Sequence, residues 1–227
     1  MTQHLFITGT DTHVGKTTFA VGLLNYLKSQ GKSAFGFKPI SSGCELTPDG
    51  LRNADALALQ AASSLQLPYD HINPFTFQEP IAPHIAAEKV GVTLSAASII
   101  EKFQALPHAK ADVIITEGAG GWLLPLHQRE TLADVVQTLK MPVILVVGIR
   151  LGCLNHALLT ADNIAARGLE LRGWVANLSD PVCLHSQANI ETLRTRLAAP
   201  LLGTIPFETD RRLSDFICPV AHSVFHE

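Results

Sequence analysis

The residues of this 227-residue chain best placed to do chemistry are Gly9-Thr10-Asp11-Thr12-His13-Val14-Gly15-Lys16-Thr17-Thr18. A short apolar run precedes them and an amphipathic stretch follows, the strand–loop–helix setting that a phosphate-binding P-loop needs. Successive backbone N–H groups and a helix N-terminus cradle phosphate oxygens in such a loop. Lys16 would bring a point charge to the outer phosphates, and the Thr17 hydroxyl would be placed to ligate Mg2+. The spacing departs from G-x-x-x-x-G-K-[ST], because Gly9 stands one residue early and Thr10 takes its place. An ordinary glycine-rich turn is the competing reading, but such a turn has no need of Gly-Lys-Thr-Thr at a helix start. The loop points to an enzyme that uses ATP or GTP.

Further positions carry potential chemistry. Ile114-Ile115-Thr116-Glu117-Gly118-Ala119-Gly120-Gly121 places an acid at the end of an apolar strand. In P-loop enzymes a carboxylate there holds Mg2+, and the glycines let backbone approach a ligand closely. Lys38, in Phe37-Lys38-Pro39-Ile40-Ser41-Ser42-Gly43, closes another strand. A cation at the mouth of a parallel sheet can pair with a reacting anion, although a solvated strand-end lysine is the default. Asp55 falls in the first turn of a helix and by itself reads as a surface acid offsetting the helix dipole. His156 follows Leu151-Gly152-Cys153-Leu154-Asn155 at a helix start, which could receive an anion or simply be capped by Asn155. His222 and His226 are too few ligands for a metal site.

The elements that must position these residues alternate. Strands are expected at residues 5–8, 33–38, 112–117, 142–147, 171–176 and 201–205. Helices are expected at 16–30, 53–62, 95–106, 131–139, 155–167 and 185–196. Such alternation means βαβ units, with right-handed crossovers. Near-continuous apolar strands mean a sheet covered on both faces. The expected fold is therefore α/β: a single-domain, P-loop NTPase-like fold over residues 1–227, with a mostly parallel central β-sheet, helices on both faces and a poorly defined tail at 211–227. Two longer loops, 41–52 and 68–91, interrupt the rhythm, and in open sheets ligands sit beyond the carboxyl ends of the strands, where such loops lie.

Composition narrows the class. The formal charge of -3 argues against nucleic acid, which favours a basic patch. The longest apolar run, residues 143–147, is far short of the ~18 residues of a membrane span. Four scattered cysteines show no zinc-ligand spacing, and the opening Met1-Thr2-Gln3-His4 lacks the basic region of a secretory leader. The expected setting is a reducing cytoplasm.

Taken together, the blocks resemble the dethiobiotin synthetase family. The match runs through residues 9–17, Lys38-Pro39 with Ser41-Ser42-Gly43, Leu51-Arg52-Asn53-x-Asp55-Ala56-Leu57, Pro83-His84, Glu117-Gly118-Ala119-Gly120-Gly121, Leu151-Gly152-Cys153-x-Asn155-His156, Gly173-Trp174-Val175-Ala176-Asn177 and Gly203-x-Ile205-Pro206. The resemblance implies ATP- and Mg2+-dependent carboxylation and ring closure of 7,8-diaminononanoate with CO2, through a carbamate and a carbamic-phosphoric anhydride. It implies catalytic roles for Lys38, Lys16 and Thr12. It makes Thr17, Asp55 and Glu117 the metal-holding set, directly or through water, and so overrides the default readings of Lys38 and Asp55. His13, Val14, Gly15, Lys16, Thr17, Thr18, Asp55, Glu117, Gly118, Ala119 and Gly120 would serve the nucleotide. So would Asn177, Leu178, Pro206, Phe207 and Glu208, on the adenine side. Thr12, Lys38 and Ser42 would contact the substrate, with Gly152, Cys153, Leu154 and Asn155 receiving its carboxylate from a neighbouring subunit. That arrangement implies a homodimer, with neither nucleic acid nor membrane as partner.

The chain departs from the family pattern at His13, where relatives often carry an acid, and after Asn177 and Pro206. Other classes weighed are a different P-loop synthetase or kinase, a GTPase switch and a partitioning-type ATPase. The switch would require a lysine where Leu178 stands in Asn177-Leu178-Ser179-Asp180. The partitioning ATPase would be expected to show a basic patch or amphipathic tail.

Overall fold

The computed structural model describes residues 2–180 and 183–207. Its centre is a six-stranded sheet made of β1 (Gln3–Gly9), β2 (Ala34–Phe37), β7 (Val113–Glu117), β8 (Val143–Gly148), β9 (Leu171–Asn177) and β10 (Leu201–Ile205). The strand order is β10-β9-β8-β1-β7-β2, and every neighbouring pair is parallel. β7 and β8 are buried at every residue, as continuous apolar strands require when both faces are covered.

Alternation along each strand divides the core. Leu5, Ile7, Ile115 and Ile144 pack with Phe19, Leu23 and Leu27 of α1 (Lys16–Ser29) and with Leu59 and Ala62 of α2 (Ala54–Ala62). Phe6, Ile114 and Val143 face the other way. There they meet Ile99 and Phe103 of α5 (Ala96–Gln104) and Val135 and Val136 of α6 (Leu132–Leu139). Further along the sheet, Leu145, Val147 and Trp174 pack with α7 (Cys153–Ala166) and α8 (Ser186–Arg196). Helices thus lie on both faces, and the fold is the single α/β, P-loop NTPase-like arrangement expected from the sequence.

The structure revises several boundaries. The strand expected to reach Lys38 ends at Phe37, because Pro39 has no N–H to continue a ladder. The loop at 41–52 contains a small antiparallel pair, β4 (Glu45–Thr47) with β5 (Gly50–Arg52). The loop at 68–91 contains α3 (Tyr69–Ile72), β6 (Phe75–Thr76) and α4 (Pro83–Lys89), and β6 pairs with β3 (Ile40–Ser41). Periodicity had nothing to find in elements of two to four residues, and α4 begins on a proline at its first turn, a favourable position that resembles loop punctuation in sequence. α7 begins at Cys153, not 155, and its N-cap is Gly152 with φ 90. Asn155 is therefore not the cap; it sits exposed inside the first turn.

β1, β7 and β2 are adjacent and parallel, so their carboxyl ends share one edge of the sheet. That register brings residues 9–18, Glu117 and Lys38 together although they are far apart in sequence.

Candidate functional site

The loop at residues 9–18 leaves β1 and turns into α1 through two left-handed residues, His13 (φ 59) and Gly15 (φ 92). Gly15 is required twice over. A Cβ there would stand 2.1 Å from Nδ2 of Asn177, and a positive φ disfavours any side chain. The same Nδ2 donates to the Val14 carbonyl at 2.9 Å, bracing the loop from beneath. The early Gly9 has its own cause: a Cβ on it would meet Val14 Cγ2 at 2.5 Å and the Lys16 stem at 3.1 Å. The glycine stands where the loop folds back over its own strand end.

Lys16 is 7% exposed. Its Nζ donates to the carbonyls of Asp11 at 2.8 Å and Gly120 at 2.7 Å. Burial, and next the nearby Lys38 charge, push its ammonium down to about 8. Asp11 also forms an ion pair with Arg150, tying the loop to the end of β8.

Lys38 is 4% exposed and Glu117 is fully buried. The Lys38 ammonium lies 2.5 Å from Oε1 of Glu117 and 3.1 Å from Oδ2 of Asp55. Burial works to lower its pKa, but the two carboxylates together outweigh burial and hold it above the ordinary lysine value. For Asp55, burial pulls upward, while the charge and hydrogen bond of Lys38 prevail and hold the carboxyl below its usual range. Thr17 Oγ1 donates to the same Glu117 Oε1 at 2.8 Å. The other oxygen, Oε2, is buried with no hydrogen-bond partner among the described residues. A hydroxyl, two carboxylates and a spare buried carboxylate oxygen form a hard-oxygen set that fits Mg2+, an ion commonly held by one or two carboxylates together with substrate phosphates.

A cleft of about 610 Å³ opens over these groups. It brings together Thr12, His13, Gly15, Lys16, Thr17 and Thr18 from the loop, Lys38 and Ser42 from beyond β2, Asp55 from α2, and Ala119 and Gly120 from beyond β7. Glu117 lies directly beneath, bonded to Lys38 and Thr17. Gly118 is buried there too, donating its N–H to Ile7. Val14 is buried inside the loop. Sequence reasoning did not assign site roles to Ser41, Gly43, Asn53, Ala54 and Pro80, which also line the cleft. The signal was available in the two long loops and in the family blocks around residues 41–43 and 51–57.

Other expected positions lie apart. Asn177 stands under the loop rather than on the cleft wall. Leu178, Pro206 and Phe207 follow β9 and β10, with Leu178 N–H bonded to the Ile205 carbonyl and Phe207 41% exposed. Gly152, Cys153, Leu154 and Asn155 do not line the cleft of their own chain. Glu208, His222, His226 and the tail at 211–227 lie outside the described residues. No helix among the described residues is long and apolar enough to cross a membrane.

Known proteins offer independent comparisons. The profile of a family described as an AAA domain matches residues 3–212. ATP-dependent dethiobiotin synthetase BioD of Pseudomonas paraeruginosa is 52% identical over 201 residues, covering 88% of each chain. Its counterpart from Xanthomonas oryzae pv. oryzae is 51% identical over 205 residues, covering 90% of this chain and 91% of the relative. Among solved structures, the septum site-determining protein MinD of Pyrococcus horikoshii, complexed with Mg-ADP, matches with a TM-score of 0.61 at 14% identity, covering 100% and 97% of the two chains. MinD of Aquifex aeolicus matches with a TM-score of 0.63 at 13% identity, covering 99% and 98%. At those identities the structural likeness speaks for the fold alone.

Proposed function

This chain belongs to the family of ATP-dependent dethiobiotin synthetases, ligases of biotin biosynthesis, and on that premise we propose that the 610 Å³ cleft holds ATP, 7,8-diaminononanoate and CO2 for ring closure. The observation that carries the reading is Lys38. It is a buried cation between Glu117 and Asp55, on the same cleft as the P-loop lysine Lys16.

An amine of the substrate adds to CO2 and loses a proton, giving a carbamate. A carbamate oxygen attacks the γ-phosphorus of ATP, breaking its bond to the β–γ bridging oxygen and releasing ADP. The second amine attacks the carbonyl of the mixed anhydride, closes the five-membered urea ring and expels phosphate. ATP, the carbamate, the mixed anhydride and the departing phosphate are all anionic, and phosphoryl transfer of this kind is mostly positioning and charge stabilisation. Loop N–H groups from His13 to Thr18 hold the phosphates. Lys16 leaves its two carbonyl partners for the outer phosphates. Lys38 supports the carbamate and the oxygen that attacks, with Thr12 and Ser42 orienting the substrate. Thr17, Asp55 and Glu117 would hold Mg2+, which when bound neutralises phosphate charge. Gly118, Ala119 and Gly120 let backbone approach the nucleotide, and Asn177, Leu178, Pro206, Phe207 and Glu208 are assigned to its base end.

The N-terminal turn of α7 does not line its own cleft, which supports its use by a second protomer. We assign Gly152, Cys153, Leu154 and Asn155 to the substrate carboxylate across a homodimer. Residues 1–227 are read as one synthetase unit working in the cytoplasm without nucleic acid or membrane.

Phosphate release from ATP is expected to require both the diamine and bicarbonate. Turnover indifferent to the diamine overturns the reading. Lys38→Ala is expected to lower kcat by roughly 10²–10³-fold, the range for losing a preorganised charge-stabilising group, while nucleotide still binds.

A further inference from the structure

Asn73 follows α3 and is 1% exposed. Its Nδ2 donates to the Lys38 carbonyl at 2.6 Å. Its Oδ1 accepts from Ser41 Oγ at 2.6 Å and from the Tyr69 hydroxyl at 3.0 Å. The Tyr69 oxygen in turn accepts the Asn53 N–H at 2.8 Å. Asn53 is the N-cap of α2, accepting from Ala56 N–H through its side chain, and the first turn of that helix carries Asp55. One buried amide therefore touches the backbone of Lys38, a wall residue of the cleft and, through a single phenol, the helix end that presents Asp55.

The need for such a tie comes from the Lys38-Pro39 junction. Sheet pairing stops at Phe37, and Pro39 offers no donor. Residues 72–73 replace the lost ladder: Lys38 N–H bonds to the Ile72 carbonyl at 2.8 Å, and the Lys38 carbonyl takes Nδ2 of Asn73. The carboxamide serves both needs from separate atoms, an N–H for the Lys38 carbonyl and an oxygen with two lone pairs for the two hydroxyls. The ring of Tyr69 is itself held under the guanidinium of Arg52, 4.2 Å from its centroid, so the phenol is a fixed strut.

We propose that Asn73 is a positioning residue for the reaction: it locks the strand end that aims Lys38 and, through Tyr69, sets the approach of Asp55. The proposal rests on the roles given above to Lys38 and Asp55. It assigns the two arms of the amide different consequences. The Nδ2 arm governs the rate of the chemical step, and the Oδ1–Tyr69 arm governs engagement of the metal.

Asn73→Asp keeps the shape and, with its carboxylate ionised, keeps both acceptor contacts while removing the one donor to Lys38. Its kcat is followed up to the pH at which that carboxylate is ionised, because the protonated acid restores the donor. The variant is expected to bind an ATP analogue at one per chain with near wild-type affinity in calorimetry, because the P-loop is untouched. Its kcat per nucleotide-binding site is expected to fall roughly 10- to 100-fold, the scale on which small misplacements act. Counting sites separates this loss from a smaller folded fraction. Tyr69→Phe keeps the ring packing. It is expected to weaken the Mg2+-dependent part of ADP binding severalfold, with kcat at saturating metal within about twofold of wild type. A wild-type kcat per site in Asn73→Asp overturns the proposal. If that variant does not fold, wild-type magnesium dependence of ADP binding in Tyr69→Phe overturns it instead. Lys38→Ala measured beside them keeps the two readings apart. If Lys38→Ala is fully active, the assignment of the site has failed; if it is dead while Asn73→Asp is normal, only the role of Asn73 has.

Discussion

Nucleotide binding should take up a proton above pH 8, and the reason lies in Lys16. Lys16 is 7% exposed, and among the described residues its ammonium hydrogen-bonds to two neutral carbonyls, those of Asp11 and Gly120. Burial first, and the charge of Lys38 second, depress its pKa to about 8. A bound triphosphate favours the charged form and lifts the pKa back toward the ordinary lysine value. Below pH 8 the lysine is charged in both states and this group makes affinity independent of pH. Between about 8 and about 10.5 the free protein has lost the proton and the complex keeps it, so affinity falls about tenfold per pH unit. Uptake is then about half a proton at pH 8 and about 0.9 at pH 9. Calorimetry of ADP binding, in buffers of different ionisation heat at pH 7, 8 and 9, reads this number directly. Lys38→Met removes the second cation, so uptake at pH 9 is expected to shrink while burial keeps it above zero. Equal uptake at pH 7 and pH 9 in the wild type would refute the reasoning, because Lys16 would then be charged in the free protein despite its surroundings.

Gly15→Ala should lose nucleotide binding and cost more than about 1 kcal/mol of stability, since it combines a positive φ with a collision against Asn177. Adding Asn177→Ala is expected to recover only part of that cost in denaturant titrations, because the backbone strain remains. Glu117→Ala should destabilise the fold by about 3 kcal/mol, near the lower end for stranding one partner of a buried ion pair, since Asp55 still faces Lys38. Lys38→Met combined with Glu117→Leu is expected to regain most of that stability in a denaturant midpoint while remaining inactive. Equal destabilisation in the double variant would show that packing, not stranded charge, sets the cost.

The sequence alone determined the parts that depend on local pattern. Apolar strands alternating with amphipathic helices dictated a parallel sheet covered on both faces. Gly-Lys-Thr-Thr at a helix start dictated a phosphate loop, and the ordered blocks from Gly9 to Pro206 identified the family. Local pattern by itself left open which distant residues meet, and the sequence grouped them only through the family resemblance. Lys38 read by itself as a solvated strand-end lysine and Asp55 as a dipole-compensating surface acid. Only the strand order β8-β1-β7-β2, which sets the ends of β1, β7 and β2 on one edge, makes them an ion pair over Glu117. The early Gly9 looked like a spacing fault until Val14 and Lys16 were seen folded back upon it. Asn73 carried no sequence signal at all. Its four-residue helix and two-residue strand are too short for periodicity, and an asparagine before a proline reads as a turn. Its bond to the Lys38 carbonyl exists because sheet pairing fails at Pro39 and a buried backbone group must then find a partner elsewhere, a requirement that only the folded chain imposes.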